Sequence, residues 1–197
     1  NEDSSARANG DAAAMEAGEL PVQVGPPVAG PATPAGPIHD RGTPPPVPPR
    51  PARVKAAEVA ARFPGAIVIG SDQVADLDGT PLGKPGTRER AVEQLSAMRG
   101  RTVLFHTAVA VRCVAKAVDT NELATVTVRF RDLGDAEIGR YLDLEQPYDC
   151  AGSAKAEALG ITLLSAIESD DPTALIGLPL IRTCALLREA GLDPLNP

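Results

Sequence analysis

The chain has 197 residues, with 19 basic against 26 acidic side chains and a formal net charge of −7. No run approaches the roughly 20 apolar residues that a membrane span requires, and no basic stretch leads into an apolar one as in a secretory signal. An acidic chain with 3% aromatic residues is poorly suited to gripping a phosphate backbone by bulk charge, so neither nucleic acid nor a membrane is expected as partner, and a cytoplasmic location is expected.

Twelve of the 20 prolines fall between Pro21 and Pro51. Residues 1–52 also hold only seven larger apolar side chains and no Phe, Tyr, Trp or Cys. Prolines this dense interrupt a helix and remove the donors a sheet needs. Without apolar bulk to offset the entropy of ordering, the segment is predicted to be disordered with polyproline II character. Within it, Pro45-Pro46-Val47-Pro48-Pro49-Arg50 fits a PxxPxR pattern that docks into aromatic grooves. An unselected linker is the plainer reading of the same composition.

From Arg53 to Pro197 the pattern is that of a folded α/β domain. Residues 53–63 are Ala-rich and helix-favouring, and Pro64-Gly65 stops them. Ala66-Ile67-Val68-Ile69 has the length of a short buried strand, which places Gly70-Ser71-Asp72-Gln73 at its carboxyl end, where ligands of α/β sheets commonly sit. Asp78-Gly79 marks a tight hairpin between Val74–Leu77 and Thr80–Leu82. Thr87 is placed to cap a helix running through Met98, with Gly100 as its stop. The alternating runs Val103–Val114 and Leu123–Phe130 predict two long antiparallel strands turning at Asp119–Asn121. A helix is expected over Ala136–Leu144, a strand over Gly160–Leu164, and a final helix over Pro179–Ala190 closed by Gly191. Strands and helices without a regular βαβ repeat argue for a mixed sheet over a doubly wound parallel one.

Three cysteines, Cys113, Cys150 and Cys184, form neither a CxxC pair nor an even framework and read as reduced, buried thiols. The only histidines are His39 and His106, so no Cys/His cluster can hold zinc. Four polar clusters remain. Asp72 can hold a divalent metal or act as a general base, and a turn-forming aspartate explains it equally well. Lys84, in Gly83-Lys84-Pro85-Gly86, can neutralise phosphate, against the reading of a solvated loop lysine. Lys55 carries the same choice on a helix. Residues Cys150–Gly160 present Lys155 and Glu157 among small side chains. Neither GxxxxGK[ST] nor GxGxxG occurs.

Taken in order, Val68–Val74, Asp78-Gly79, Gly83-Lys84-Pro85, Arg129–Ile138, Asp149–Ser153, Gly160–Leu163, Asp171-Pro172 and Leu175–Ile181 resemble the Maf nucleotide pyrophosphatases over Arg53–Leu195. Ser71-Asp72-Gln73-Val74 and the Cys150–Glu157 string are most similar to the YceF-like branch, associated with 7-methyl-GTP. The resemblance implies an ITPase-like mixed α/β fold with a central cleft, a homodimer, and a house-cleaning pyrophosphatase. The implied reaction is cleavage between the α- and β-phosphates with a divalent cation (Mg, Mn or Co), releasing a nucleoside monophosphate and pyrophosphate. It further implies Asp72 as proton acceptor and metal contact, Lys55 and Lys84 as phosphate-neutralising lysines, and Gln73 and Glu157 as specificity positions. Glu157 has an independent rationale: 7-methylguanine carries extra positive charge and N–H donors, which a carboxylate recognises through charge-assisted hydrogen bonds.

One departure stands beside this likeness. The family opens with a strand entering a Ser-x-Ser-x-x-Arg phosphate loop, followed by an Asp-Glu pair. Residues 1–52 show neither, and Ser4-Ser5-Ala6-Arg7 is not the motif. The folded domain 53–197 is therefore expected to lack its first strand and loop. Each lost charge-assisted contact is worth about 1.5–3 kcal/mol. A non-catalytic nucleotide-binding remnant, or an interaction protein acting through the Pro-rich tail, are the competing readings.

Overall fold

The computed structural model describes residues 49–196. Two long runs of alternating side chains organise it. Strands β3 (Thr102–Cys113) and β4 (Val118–Phe130) pair antiparallel from Thr102↔Arg129 to Cys113↔Val118. The turn between them falls at residues 114–117, with Ala117 at φ 54, and not at Asp119–Asn121 as the sequence suggests. Asp119 instead sits opposite Arg112 in the ladder, and its Oδ2 lies 3.5 Å from Arg112 and 2.9 Å from Arg53. Cross-strand charge pairing thus extends the hairpin past the point where local turn chemistry would end it.

The strand expected to stop at Ile69 continues. β1 (Val68–Leu77) pairs with β3 without a break from Val68↔Arg112 to Asp76↔Leu104, so Gly70–Gln73 lie in mid-strand and not beyond its carboxyl end. The expected hairpin at Asp78-Gly79 forms, both residues taking positive φ (51° and 82°), and returns the chain along β2 (Thr80–Leu82). β5 (Leu164–Glu168) joins β4 after a 3-10 segment, Leu159–Leu163, that occupies most of the run expected to be a strand. Among the described residues the sheet order is β2-β1-β3-β4-β5. All four ladders are antiparallel. The α/β class expected from the sequence holds, while the mixture lies between helices and strands and not between strand directions among these residues.

Helices cover both faces. α1 (Pro49–Arg62) starts four residues before the expected Arg53, because prolines in the first turn remove N–H groups that have no intrahelical acceptor. The last two residues of the PxxPxR pattern are therefore helical, as are Pro51 and Ala52, which corrects the disorder expected there; residues 1–48, with the rest of that expectation and the missing first loop, lie outside the described residues. α1 lays Ala52, Ala56 and Ala60 against Val68, Ala108 and Ala110. Gly70 is required there: a Cβ would stand 2.4 Å from the Ala52 carbonyl oxygen. On the opposite face, α2 (Arg88–Met98) and α3 (Asp135–Glu145) bury Leu95, Met98, Ile138 and Leu142 against Val103 and Phe105. α2 begins as expected, with Thr87 Oγ1 accepting the Arg90 N–H at 3.4 Å. α4 (Leu180–Glu189) packs Leu186 on Val109 and Val111.

Candidate functional site

Strand alternation divides the Gly70–Gln73 quartet between the two faces of the sheet. Asp72 points to the α1 side, and Ser71 and Gln73 point to the other. Because α1 approaches closely over Gly70, Lys55 reaches the strand: its Nζ donates to Asp72 Oδ1 at 2.6 Å and to the Ser71 carbonyl at 3.2 Å. The pair is only half withdrawn from solvent, with side-chain exposures of 43% for Lys55 and 23% for Asp72. It is a charge-assisted hydrogen bond between an ammonium and a carboxylate that both remain accessible to a ligand. Two residues nominated from the sequence are thus brought together across 17 positions.

Gln73 has a different setting. Its Nε2 lies within hydrogen-bonding distance of the carbonyls of Ala174 (2.8 Å) and Leu175 (3.1 Å) and of Thr107 Oγ1 (2.9 Å). Ser71 Oγ lies 2.6 Å from the Gly177 carbonyl and 2.8 Å from that of Ala108. These side chains tie the 3-10 segment Pro172–Ile176 to the sheet. Asp171, at its start, is fully buried: Oδ2 accepts the Arg182 N–H (3.0 Å) and Oδ1 accepts the Thr173 hydroxyl (3.0 Å). Thr173 Oγ1 in turn accepts the Leu180 N–H at 2.8 Å, so the two side chains jointly cap α4. Asp171-Pro172 belongs to the motif series, and its aspartate holds a helix end.

Lys84 lies on the loop between β2 and α2. The β1–β2 ladder ends at Ala75↔Leu82, so Lys84 lies past the last paired position, and no hydrogen bond or ion pair joins it to Lys55 or Asp72 among the described residues. The loop is fixed by Gln94, whose Nε2 donates to the Gly83 carbonyl (3.1 Å) while its Oε1 accepts the Ser153 hydroxyl (2.6 Å). The Gly86 N–H to Tyr148 carbonyl bond (3.0 Å) adds a second tie. The Lys84 loop and the 148–153 segment are therefore one unit, a link that no local sequence signal announced. Gly152 makes it possible, since a Cβ there would meet Ala75 and Phe105 at 3.3 Å.

Glu157 is exposed in a turn closed by the Ala158 N–H to Lys155 carbonyl bond (3.1 Å). No contact joins it to Lys55 or Asp72 among the described residues. Nearby, burial first and then Asp149, which accepts the Cys150 S–H at 3.4 Å, push the Cys150 thiol up to about 12. Burial likewise raises the Tyr141 phenol to about 12. The cysteines are free, with Cys113 buried and the other two half-buried.

No group of three His, Cys, Asp or Glu side chains able to hold a metal occurs among the described residues. Asp72 alone suits a magnesium-like ion carried by substrate phosphates, which commonly uses one or two carboxylates and leaves its other positions to phosphate and water. An open hollow of about 390 Å³ is lined by Pro49, Arg50, Arg53, Val54 and Asn121, at the start of α1 and apart from Asp72. Among the described residues no helix is long and apolar enough to cross a membrane.

Comparison with known proteins gives a consistent result. The family model described as "Maf-like protein" matches residues 22–190, beginning upstream of the Arg53 boundary read from the motifs. A 7-methyl-GTP pyrophosphatase of Polaromonas sp. is 64% identical over 141 residues, which cover 72% of this chain and 64% of the relative. One from Albidiferax ferrireducens is 59% identical over 145 residues, covering 74% and 73%. One from Xanthomonas oryzae pv. oryzae is 61% identical over 137 residues, covering 70% and 71%. The match thus spans just under two thirds of the Polaromonas relative's length.

Proposed function

The chain belongs to the Maf family, and from that membership we propose that it is a nucleoside triphosphate pyrophosphatase that hydrolyses 7-methyl-GTP or a related modified nucleotide. The observation that carries this reading is the 2.6 Å Lys55–Asp72 pair, half-exposed in mid-strand. A carboxylate able to take a proton, beside an ammonium able to neutralise phosphate, suits phosphoanhydride hydrolysis.

In this scheme Asp72 takes a proton from the attacking water as its oxygen bonds to the α-phosphorus. The bond between that phosphorus and the bridging oxygen of the β-phosphate breaks, and pyrophosphate leaves with the electron pair. Lys55 and Lys84 offset charge on the phosphoryl oxygens, with Lys55 already held beside Asp72 so that little reorganisation is needed there. A divalent ion bound with the nucleotide would be held on the protein side by Asp72 and would supply further neutralisation of the phosphates. Glu157 would accept hydrogen bonds from the methylated guanine and favour its positive charge. A homodimer in the cytoplasm completes the reading, and light scattering of the purified protein checks the dimer.

Pyrophosphate release from 7-methyl-GTP with Mg, Mn or Co tests the proposal. Release well above that from GTP supports it. Binding without release in any of the three metals overturns it in favour of a nucleotide-binding remnant. Glu157→Gln should cut turnover of 7-methyl-GTP more than that of GTP, and equal losses would remove Glu157 from base selection.

A further inference from the structure

The turn carrying Glu157 is a poor candidate to hold its own shape. Residues Glu157, Ala158 and Leu159 are exposed, and Leu159 leaves 42% of its surface in solvent. Apolar burial therefore does little to fix it, and its geometry rests on polar ties. Those ties come from one place. α3 ends at Glu145, and Gln146 then adopts a left-handed conformation (φ 50, ψ 53) that turns the chain away. Tyr141 and Glu145, four residues apart, consequently share a face of the last helical turn.

From that face the helix grips both ends of the turn. Tyr141 Oη accepts the Lys155 N–H at 3.1 Å, and Glu145 Oε2 accepts the Leu159 N–H at 3.0 Å. Glu145 Oε1 also lies 3.9 Å from Lys155 Nζ, which stands 3.6 Å from Asp149 Oδ1. The turn is closed on itself by the contact of Gly160 with Lys155, where a Cβ would stand 2.4 Å from the Lys155 carbonyl oxygen. Both gripped groups are main-chain N–H donors, so the grip sets where the backbone of residues 155–159 lies and leaves the Glu157 side chain uncommitted.

Resting on the proposed role of Glu157 in base selection, we infer that Tyr141 and Glu145 are positioning residues that hold the 155–159 turn so that Glu157 meets a positively charged purine. They act through the backbone and do not touch the base. The Leu159 N–H is exposed and binds water when released from Glu145, whereas the Lys155 N–H is part-buried, so loss of the Tyr141 hydroxyl carries some cost in stability beside its effect on the aim of Glu157.

The test is calorimetric titration of the full chain with 7-methyl-GMP and with GMP, read as the ratio of the two dissociation constants, with thermal unfolding run on every variant. Tyr141→Phe and Glu145→Ala should each reduce the preference for 7-methyl-GMP about 3–10-fold, the worth of one net hydrogen bond, with GMP affinity unchanged. Glu145→Gln keeps an acceptor for the Leu159 N–H and should retain most of the preference. Combining Tyr141→Phe with Glu157→Gln should add no further loss to that of Glu157→Gln. If Glu157→Gln lowers the preference while Tyr141→Phe and Glu145→Ala leave it intact, the positioning role is overturned and the base-selection reading stands. If Glu157→Gln leaves it unchanged, or the unaltered protein binds both nucleotides equally, both fall.

Discussion

The two faces of the sheet are packed at different scales. Under α1 the contacts are Ala52, Ala56 and Ala60 on Ala108 and Ala110, with Gly70 beneath the helix backbone. Under α2 and α3 they are Leu95, Met98, Phe105, Ile138 and Leu142. Large side chains remove more apolar surface from water, each worth about 1.5–3 kcal/mol when fully buried, so most of the hydrophobic stabilisation belongs to the second face. Small ones let a helix come close enough for a lysine to touch the neighbouring strand's backbone. The comparison teaches a division of labour: one face holds the domain together, and the other brings a cation to a carboxylate.

Four measurements test that division, beginning with the largest expected effect. Asp72→Asn should lower pyrophosphate release about 10²–10⁴-fold, as expected for loss of a general base, with the unfolding midpoint little moved. A parallel collapse of stability would make the α1 face structural after all. Leu95→Ala, at a fully buried position, should cost about 2–5 kcal/mol in denaturant unfolding while the folded fraction keeps its specific activity. Gly70→Ala forces α1 outward, since the obstacle is backbone. It should cost about 1–3 kcal/mol and also lower kcat, the one substitution expected to move both readouts. The smallest effect is on pH dependence. With its folded pKa raised from 9.0 to about 12, the Cys150 thiol binds its proton more tightly in the folded chain than in the unfolded one. Its contribution to stability is complete below pH 9 and is lost as pH rises toward 12. Unfolding between pH 8 and pH 10.5, compared with Cys150→Ser, should show a shallower decline in the variant, and equal slopes would remove Cys150 as the cause.

Local chemistry made several elements legible. Asp78-Gly79 specified its hairpin, Thr87 its cap, and the alternation after Thr102 its two long strands, because each depends on residues within a few positions. The same reading misplaced Gly70–Gln73. Gly, Ser and Asp favour turns in isolation, and here they are held in a strand by an unbroken ladder with β3. What settles Gln73 is a carbonyl 101 residues away, outside any local window. Asp72 and Lys55 could be nominated as chemistry, but their contact depends on the close approach of α1 over Gly70. The roles of Gln94, Tyr141 and Glu145 had no local signature, since each acts on a loop distant in sequence.

β1 serves two neighbours in alternate steps, with Ser71 and Gln73 turned to the 172–177 segment and Asp72 to Lys55. It therefore behaves like a reading frame. Substitutions along it change one contact at a time, but inserting a single residue between Gly70 and Ser71 would exchange the two sets, sending the carboxylate to the far side and the anchors toward the lysine. The strand should accordingly tolerate changes of side chain far better than any change of length.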